Sequence, residues 1–330
     1  MNSVGFILEA SSLSGGVRII FEYANRLHAR GWKVHFYSLG PRPDWFDLED
    51  MNWMRFANYQ DMIKFLSTDH KDVKKVATWW RTAKVLNEVK SVKELGTGYY
   101  LVQDIETSYY YRPFECEDVA RTYDFGFKMF TCNPWVTTLV NMPCVGQAYD
   151  AKTFHKVKYE YPAVRTVLAF MRRQALKGFS QLGEFSRLLK VKDQKAELVT
   201  VGVDGGIQLL GAHVTHLCKP NDEQMNGLYN RSGCFVSSSL HEGFSLTLLE
   251  AMACGTPVSC FNAEGNMSFC VDGENSLVAP KGDVETLSEN VIRIFKDDVL
   301  RKKLIAGGFE TARKYADWDG VIDKLETVLT

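Results

Sequence analysis

The feature that most constrains this chain is an alternation of short apolar runs with amphipathic stretches, met in both halves. In the first half "VGFILEA" is short enough for a strand and "SSLSGG" reads as a loop. "VRIIFEYANRLHARG" then carries helical periodicity stopped by Gly31, and "WKVHFYSLG" reads as a second strand. That is a βαβ unit, which "KKVAT" and "YYLVQD" extend toward a parallel sheet wrapped by helices. In the second half "TVLAFM", "AELVTVGV", "HVTHLC", "CFVSSS", "PVSCF" and "SLVAP" repeat the alternation, joined by helices such as "DEQMNGLYNRSG" and "DVETLSENVIRIFKDD". A chain of 330 residues exceeds the usual single domain of roughly 100–200. The expected fold is α/β, with two Rossmann-like doubly wound domains facing across a cleft. The polar, irregular stretch "GQAYDAKTFHKVKYEYPAV", carrying Pro162, marks the boundary, giving domains 1–155 and 156–312.

Composition removes several function classes. Lys plus Arg total 39 against 40 Asp plus Glu, which gives no basic footprint for strong nucleic-acid binding. "MNSVGFILEASS" lacks a positive leading region and is interrupted by Glu9, so it reads as a buried strand rather than a signal peptide. No run approaches the roughly 18 apolar residues of a membrane span. The eight cysteines show neither C-x-x-C nor paired metal spacing, as expected for reduced thiols in a cytoplasmic protein.

In doubly wound sheets ligands bind beyond the carboxyl ends of the strands, which directs attention to three loops. "SLSGGV", Ser12 to Val17, opens a helix with Gly15 and Gly16; it offers unpaired N–H groups to an anion, or is a plain tight turn. It is not G-x-G-x-x-G, and no acidic residue ends the second strand, so a dinucleotide site is disfavoured. "FMRRQALKGF" places Arg172 and Lys177 between a strand and a helix starting near Gly178. They could hold a diphosphate, Arg as a planar fork and Lys as a point charge, or simply be a solvated charged loop.

The third is "SLHEGFSLTLLEAMACGTPV", with Glu242 and Glu250 eight positions apart. Eight helical residues at about 100° each leave two side chains about 80° apart, so Glu242 belongs to the turn and Glu250 to the helix, whose Leu246, Leu249 and Ala253 share a face. The amides of Phe244, Ser245 and Leu246 then sit at the helix amino end, suited to a phosphate. Each carboxylate can accept two bonds from vicinal hydroxyls. Read without their context, the two are an ordinary turn acid and a solvated helix residue.

"EGFSLTLLEAMACGTPV" closely resembles the E-x7-E segment of family 4 retaining glycosyltransferases, whose fold is GT-B. "SGGVRIIFEYANRLHARGWKV" resembles that family's Gly-Gly loop and helix, and "RRQALKG" its Arg-x4-Lys-Gly donor clamp. "AELVTVGVDGG", "DEQMNGLYNRSGCFVSSS" and "EGNMSFCVDGENSLVAP" follow in the family's order, and "KYADWDG" resembles the segment before a last helix that crosses back to the amino-terminal domain, here 313–330. The resemblance implies a donor domain at 156–312 and an acceptor domain at 1–155. It also implies that Glu242 contacts the donor sugar, Glu250 holds the ribose, Arg172 and Lys177 neutralise the diphosphate, and the Gly15–Gly16 loop closes over it. Sugar transfer would proceed with retention, without a metal or other cofactor, from a UDP-, dTDP- or GDP-sugar.

Where many members carry a His facing the donor sugar, "YYLVQDIETSYYY" has Gln103 and Asp104, with Glu106 nearby. This Gln-Asp-x-Glu variant, with "ATWWRTA", resembles the branch containing bacterial rhamnosyltransferases of surface glycans, and implies a 6-deoxy donor sugar. His241 reads as a packing residue rather than an acid/base. Asp317 and Asp319, although spelling D-x-D, read as a helix cap and a solvated acid. An epimerase of the same fold and a non-catalytic nucleotide-sugar binder are the competing functions. The acceptor stays open among glycan, lipid-linked and small-molecule hydroxyls. The aromatic stretches "RPDWFDLEDMNWMRF" and "DIETSYYYRPFE" fit sugar stacking, peripheral contact with the inner membrane face, or core packing.

Overall fold

A computed structural model describes residues 2–157, 163–203 and 214–330. Pro162 and the Asp204–Gly206 part of "VGVDGG" lie outside them. The chain divides into two compact units, Met1–Gln147 with Asp319–Thr330, and Ala148–Trp318.

In the first unit the strands are β1 (Ser3–Leu8), β2 (Lys33–Ser38), β3 (Asn52–Arg55), β4 (Lys74–Ala77), β5 (Gly98–Val102) and β6 (Lys128–Thr131). They pair in parallel in the order β3-β2-β1-β4-β5-β6. The second unit holds β7 (Ala163–Phe170), β8 (Glu197–Gly202), β9 (Val214–Cys218), β10 (Ser232–Ser237), β11 (Val258–Phe261) and β12 (Leu277–Ala279), in the order β12-β11-β10-β7-β8-β9. Counted from its own first strand, each sheet has the doubly wound order 3-2-1-4-5-6, which reverses direction between its first and fourth strands. Those switch points lie between β1 and β4, and between β7 and β10. Each sheet is buried on both faces, so its central strands read as near-continuous apolar runs, Phe6–Leu8 and Cys234–Val236 among them.

The strands β3 and β6 carry no clear alternation and escape sequence reading, because each is a four-residue edge strand. The aromatics of "RPDWFDLEDMNWMRF" are half-buried and pack on the core residue Phe21: Trp45, Phe46 and Trp53 meet it at ring separations of 5.6, 5.4 and 6.1 Å. The stretch "DIETSYYYRPFE" differs in leaving Tyr111 and Phe114 exposed.

The boundary falls at 147/148 rather than 155/156, because Tyr149 and Phe154 are already buried in the second unit's core with Tyr229 and Phe235. At the other end residues 313–318 stay with the second unit, where Tyr315 packs on Phe244 and Phe269. The last helix, Trp318–Leu329, is counted with the first unit from Asp319 on. Arg30 gathers three of its acids, Asp319 at 3.2 Å, Asp323 at 2.6 Å and Glu326 at 2.7 Å. Trp32 Nε1 donates to Glu326 at 2.7 Å and Tyr99 Oη to the Leu329 carbonyl at 3.2 Å.

Candidate active site

In the second unit the candidate residues leave the sheet at its switch point. Arg172 and Lys177 follow β7, Glu242 follows the adjacent β10, and together with Ser237, Ser239 and Thr247 they line one pocket. Lys177 Nζ donates to Glu242 Oε2 at 2.9 Å and to the His241 carbonyl at 3.0 Å. Burial raises the Glu242 carboxyl, but the charges of Lys177 and Arg172 and hydrogen bonds from Ser239 and Lys177 outweigh it and hold the pKa below the ordinary glutamate value. Glu242 is therefore an anion in a cationic pocket. The Arg172 guanidinium lies 5.7 Å above the Phe170 ring, which limits its rotamers.

Gly178 locks the two loops together. Its φ is +68°, and a Cβ there would sit 1.7 Å from the Ser238 carbonyl oxygen, so the backbones touch where no side chain fits. Leu240 N–H and His241 N–H both donate to the Leu176 carbonyl, at 2.8 and 3.1 Å, and Ser238 Oγ to the Gly178 carbonyl at 3.2 Å. Glu242 is in the loop, as the eight-residue spacing requires; Glu250 is in the helix Leu246–Ala253. There Leu246 is half-buried, whereas Leu248, Leu249, Ala251, Met252 and Ala253 are all buried, so the apolar surface exceeds the single face read from the sequence. Ser245 precedes the helix at φ 79°, a strained setting for a residue with a Cβ, and Phe244 is buried against Phe269 and Tyr315. Glu250 Oε2 accepts the Tyr229 hydroxyl at 3.0 Å; burial keeps that phenol protonated and a donor.

In the first unit Gly15 and Gly16 are the first two residues of the helix Gly15–Ala29 rather than part of the loop before it, and Ser14 Oγ caps the Val17 N–H at 3.3 Å. Gly16 and Gln103 come together: a Cβ on Gly16 would lie 2.8 Å from Gln103 Oε1, whereas Gly15 faces open space. Asn133 Nδ2 donates to the Gln103 carbonyl and Gln147 Nε2 to Asn133 Oδ1. Asp104 is occupied by its own loop, accepting the Ile105 N–H at 2.8 Å and the Tyr109 hydroxyl at 2.6 Å. Glu106 is buried, and its Oε2 accepts the Trp80 N–H at 2.6 Å and the Tyr100 hydroxyl at 2.9 Å. Burial pushes its pKa up to about 8.

Sequence reading missed Asn133 and Gln147, which have no local motif, and Glu264, which heads "EGNMSFCVDGENSLVAP" but has its partner His241 in another loop. His241 is buried, as a packing residue should be, but is also bonded to Glu264. Asp319 is exposed and paired with Arg30. Among the described residues no group of three or more His, Cys, Asp or Glu is placed to hold a metal.

Residues 151–311 match the family of glycosyl transferases, group 1. The group 1 segment thus takes in nearly the whole second unit. Over 98 residues the chain is 37% identical to the O-antigen chain mannosyltransferase B of Escherichia coli, covering 30% of this chain and 25% of that one. Over 93 residues it is 37% identical to the phosphatidyl-myo-inositol mannosyltransferase of Mycobacterium leprae, covering 27% and 25%. The matched stretch thus spans about a quarter of the length of these curated relatives. Among solved structures, Anabaena HepE in complex with UDP and glucose superposes with a TM-score of 0.82 at 13% identity, over 100% of this chain and 99% of that one. Sucrose-phosphate synthase from Thermosynechococcus elongatus gives 0.79 at 16%, over 99% and 98%. The fold is GT-B, built of two Rossmann-like domains.

Proposed function

We propose that this protein is a retaining, metal-independent glycosyltransferase that moves a sugar from a nucleotide-diphosphate sugar to a hydroxyl acceptor in surface glycan or polysaccharide synthesis. The observation that carries the reading is the half-buried Lys177–Glu242 pair beside Arg172 at the switch point of the second sheet. An ammonium has three donors. Two of Lys177's go to Glu242 and the His241 carbonyl, leaving one for a phosphate oxygen. Arg172 and the amides at the head of the helix Leu246–Ala253 add to it, so positive potential is concentrated where charge develops on the leaving diphosphate. Glu242, held ionised, accepts from sugar hydroxyls, and Glu250 from the ribose. The bond from the anomeric carbon to the phosphate oxygen breaks, the acceptor oxygen bonds on the same face, and its proton passes to the departing phosphate oxygen.

Gln103, beside Gly16 at the head of the first unit's long helix, takes the place of the His that many members carry and supports a 6-deoxy donor sugar. Asp104, bonded within its own loop, shapes that loop. UDP is in the HepE complex and mannosyl transfer is in the two relatives' names, so the donors to test are UDP-glucose, GDP-mannose and dTDP-rhamnose. The exposed Tyr111 and Phe114 support peripheral contact at the inner membrane face, next to a lipid-linked or glycan acceptor. Among the described residues no helix is long and apolar enough to cross a membrane.

The test is turnover of that donor panel, with and without EDTA, for wild type, Glu242→Ala and Glu250→Ala. Glu242→Ala is expected to abolish transfer while retaining nucleotide binding. Glu250→Ala is expected to weaken binding by about 1.5–3 kcal/mol for each charge-assisted hydrogen bond lost. Transfer unaffected by Glu242→Ala, an inverted anomeric product, loss to EDTA restored by manganese, or epimerisation of donor alone would each refute it.

A further inference from the structure

Glu264 is a non-glycine residue at φ 71° and ψ −85°, outside the regions where side chains are comfortable. Such strain persists only where the surroundings over-determine it, and it clusters at functional sites. Its neighbours are tied to the backbone of Glu242. The Glu242 N–H donates to the Ala263 carbonyl at 2.9 Å, and the Gly265 N–H returns to the Glu242 carbonyl at 2.9 Å. At Gly265 a Cβ would lie 2.0 Å from the Gly243 carbonyl oxygen, so the two turns are in direct contact.

The Glu264 side chain continues the link. Its Oε2 accepts from His241 Nδ1, and its Oε1 from Lys281 Nζ. Burial raises this carboxyl, but those two partners pull it below the ordinary glutamate value, so it is an acceptor at neutral pH. The carbonyl of the same His241 accepts from Lys177 Nζ at 3.0 Å, and Lys177 pairs with Glu242 at 2.9 Å. A continuous path therefore runs from Glu264 through His241 to Lys177 and Glu242.

We propose that Glu264 is a positioning residue for the transfer reaction: it fixes His241, and through the His241 carbonyl sets where Lys177 and Glu242 meet the donor. The backbone of the 263–265 turn holds the height of the Glu242 loop, whereas the Glu264 carboxylate fixes its rotation. The strain at residue 264 is tolerated because glycine, which would relieve it, has no carboxylate to reach His241. This rests on the glycosyltransferase reading above, and the controls separate the two.

The experiment compares wild type, Glu264→Gly, Glu264→Gln and Glu242→Ala. It reads kcat and donor KM with the panel donor turned over, thermal midpoint, and a crystal structure of Glu264→Gly. Glu264→Gly relieves the backbone, so its midpoint is expected at or above wild type while kcat falls about 10- to 100-fold, the scale of an ångström-sized misplacement of catalytic groups. Donor KM is expected to change less than kcat, and the Lys177–Glu242 pair to shift in the crystal structure. Glu264→Gln keeps an acceptor for His241 and is expected to recover part of the rate. Wild-type kcat in Glu264→Gly, an unmoved Lys177–Glu242 pair, or kcat and midpoint falling together would overturn the proposal, the last in favour of a purely structural residue. Unimpaired transfer by Glu242→Ala would instead refute the site reading itself, and this proposal with it.

Discussion

Gly178→Ala tests the idea that clamp and glutamate loop form one unit. At φ +68° an alanine costs about 1–2 kcal/mol from backbone strain alone. The added Cβ would then meet the Ser238 carbonyl oxygen at 1.7 Å and its carbon at 2.6 Å. Relief requires the chain just after β10 to retreat by about 1.8 Å, since ordinary packing leaves roughly 3.5 Å between such atoms. That retreat breaks the bonds from Leu240, His241 and Ser238 to the Leu176 and Gly178 carbonyls, each contributing about 0.5–1.5 kcal/mol. The combined cost is about 2.5–6.5 kcal/mol, and the misplaced Lys177 lowers transfer by about 100-fold or more. Gly273 is the control: its φ is +71° but nothing lies within 4 Å of its would-be Cβ, so Gly273→Ala carries strain without collision. Urea denaturation and transfer rates of both variants make the measurement. If Gly178→Ala loses no more stability than Gly273→Ala and keeps its rate, the locked-loop argument is wrong.

Two further outcomes are expected. The pKa of Glu106, raised to about 8 by burial, favours the protonated acid in the fold. Its contribution to stability is full below the unfolded value near pH 4.5 and is lost as pH rises through about 8. Glu106→Gln should remove that decline, which reaches about 1.4 kcal/mol per pH unit, and parallel urea-stability profiles of variant and wild type between about pH 5 and pH 8 would refute it. Tyr229→Phe removes the donor 3.0 Å from Glu250, so calorimetry with UDP, GDP and dTDP should show about 10-fold weaker binding of the preferred nucleotide. Unchanged affinity would detach Glu250 from the nucleotide.

Much of the fold is legible in the sequence because buried parallel strands need apolar runs whatever surrounds them. The four strands and one long helix quoted for the first half, and the six strands of the second, all correspond to such runs. The edge strands β3 and β6 are not legible, since four residues with one side unpaired carry too little pattern. The boundary is misplaced by eight residues, because "GQAYDAKTFH" looks irregular yet Tyr149 and Phe154 are core residues.

The sequence by itself determined that Glu242 and Glu250 could not share a helical face, because 100° per residue is fixed by backbone geometry. It also placed Arg172 and Lys177 at the end of a strand, because apolar runs and the charges after them are local features. Only tertiary structure decided that Lys177 pairs with Glu242, 65 residues away, and that His241 is held by Glu264. It also decided that Gly16 abuts Gln103 and that Asp104 serves its own loop. Such pairings depend on which strands lie side at the switch point and how closely their backbones approach, and no local pattern encodes contacts between segments so far apart.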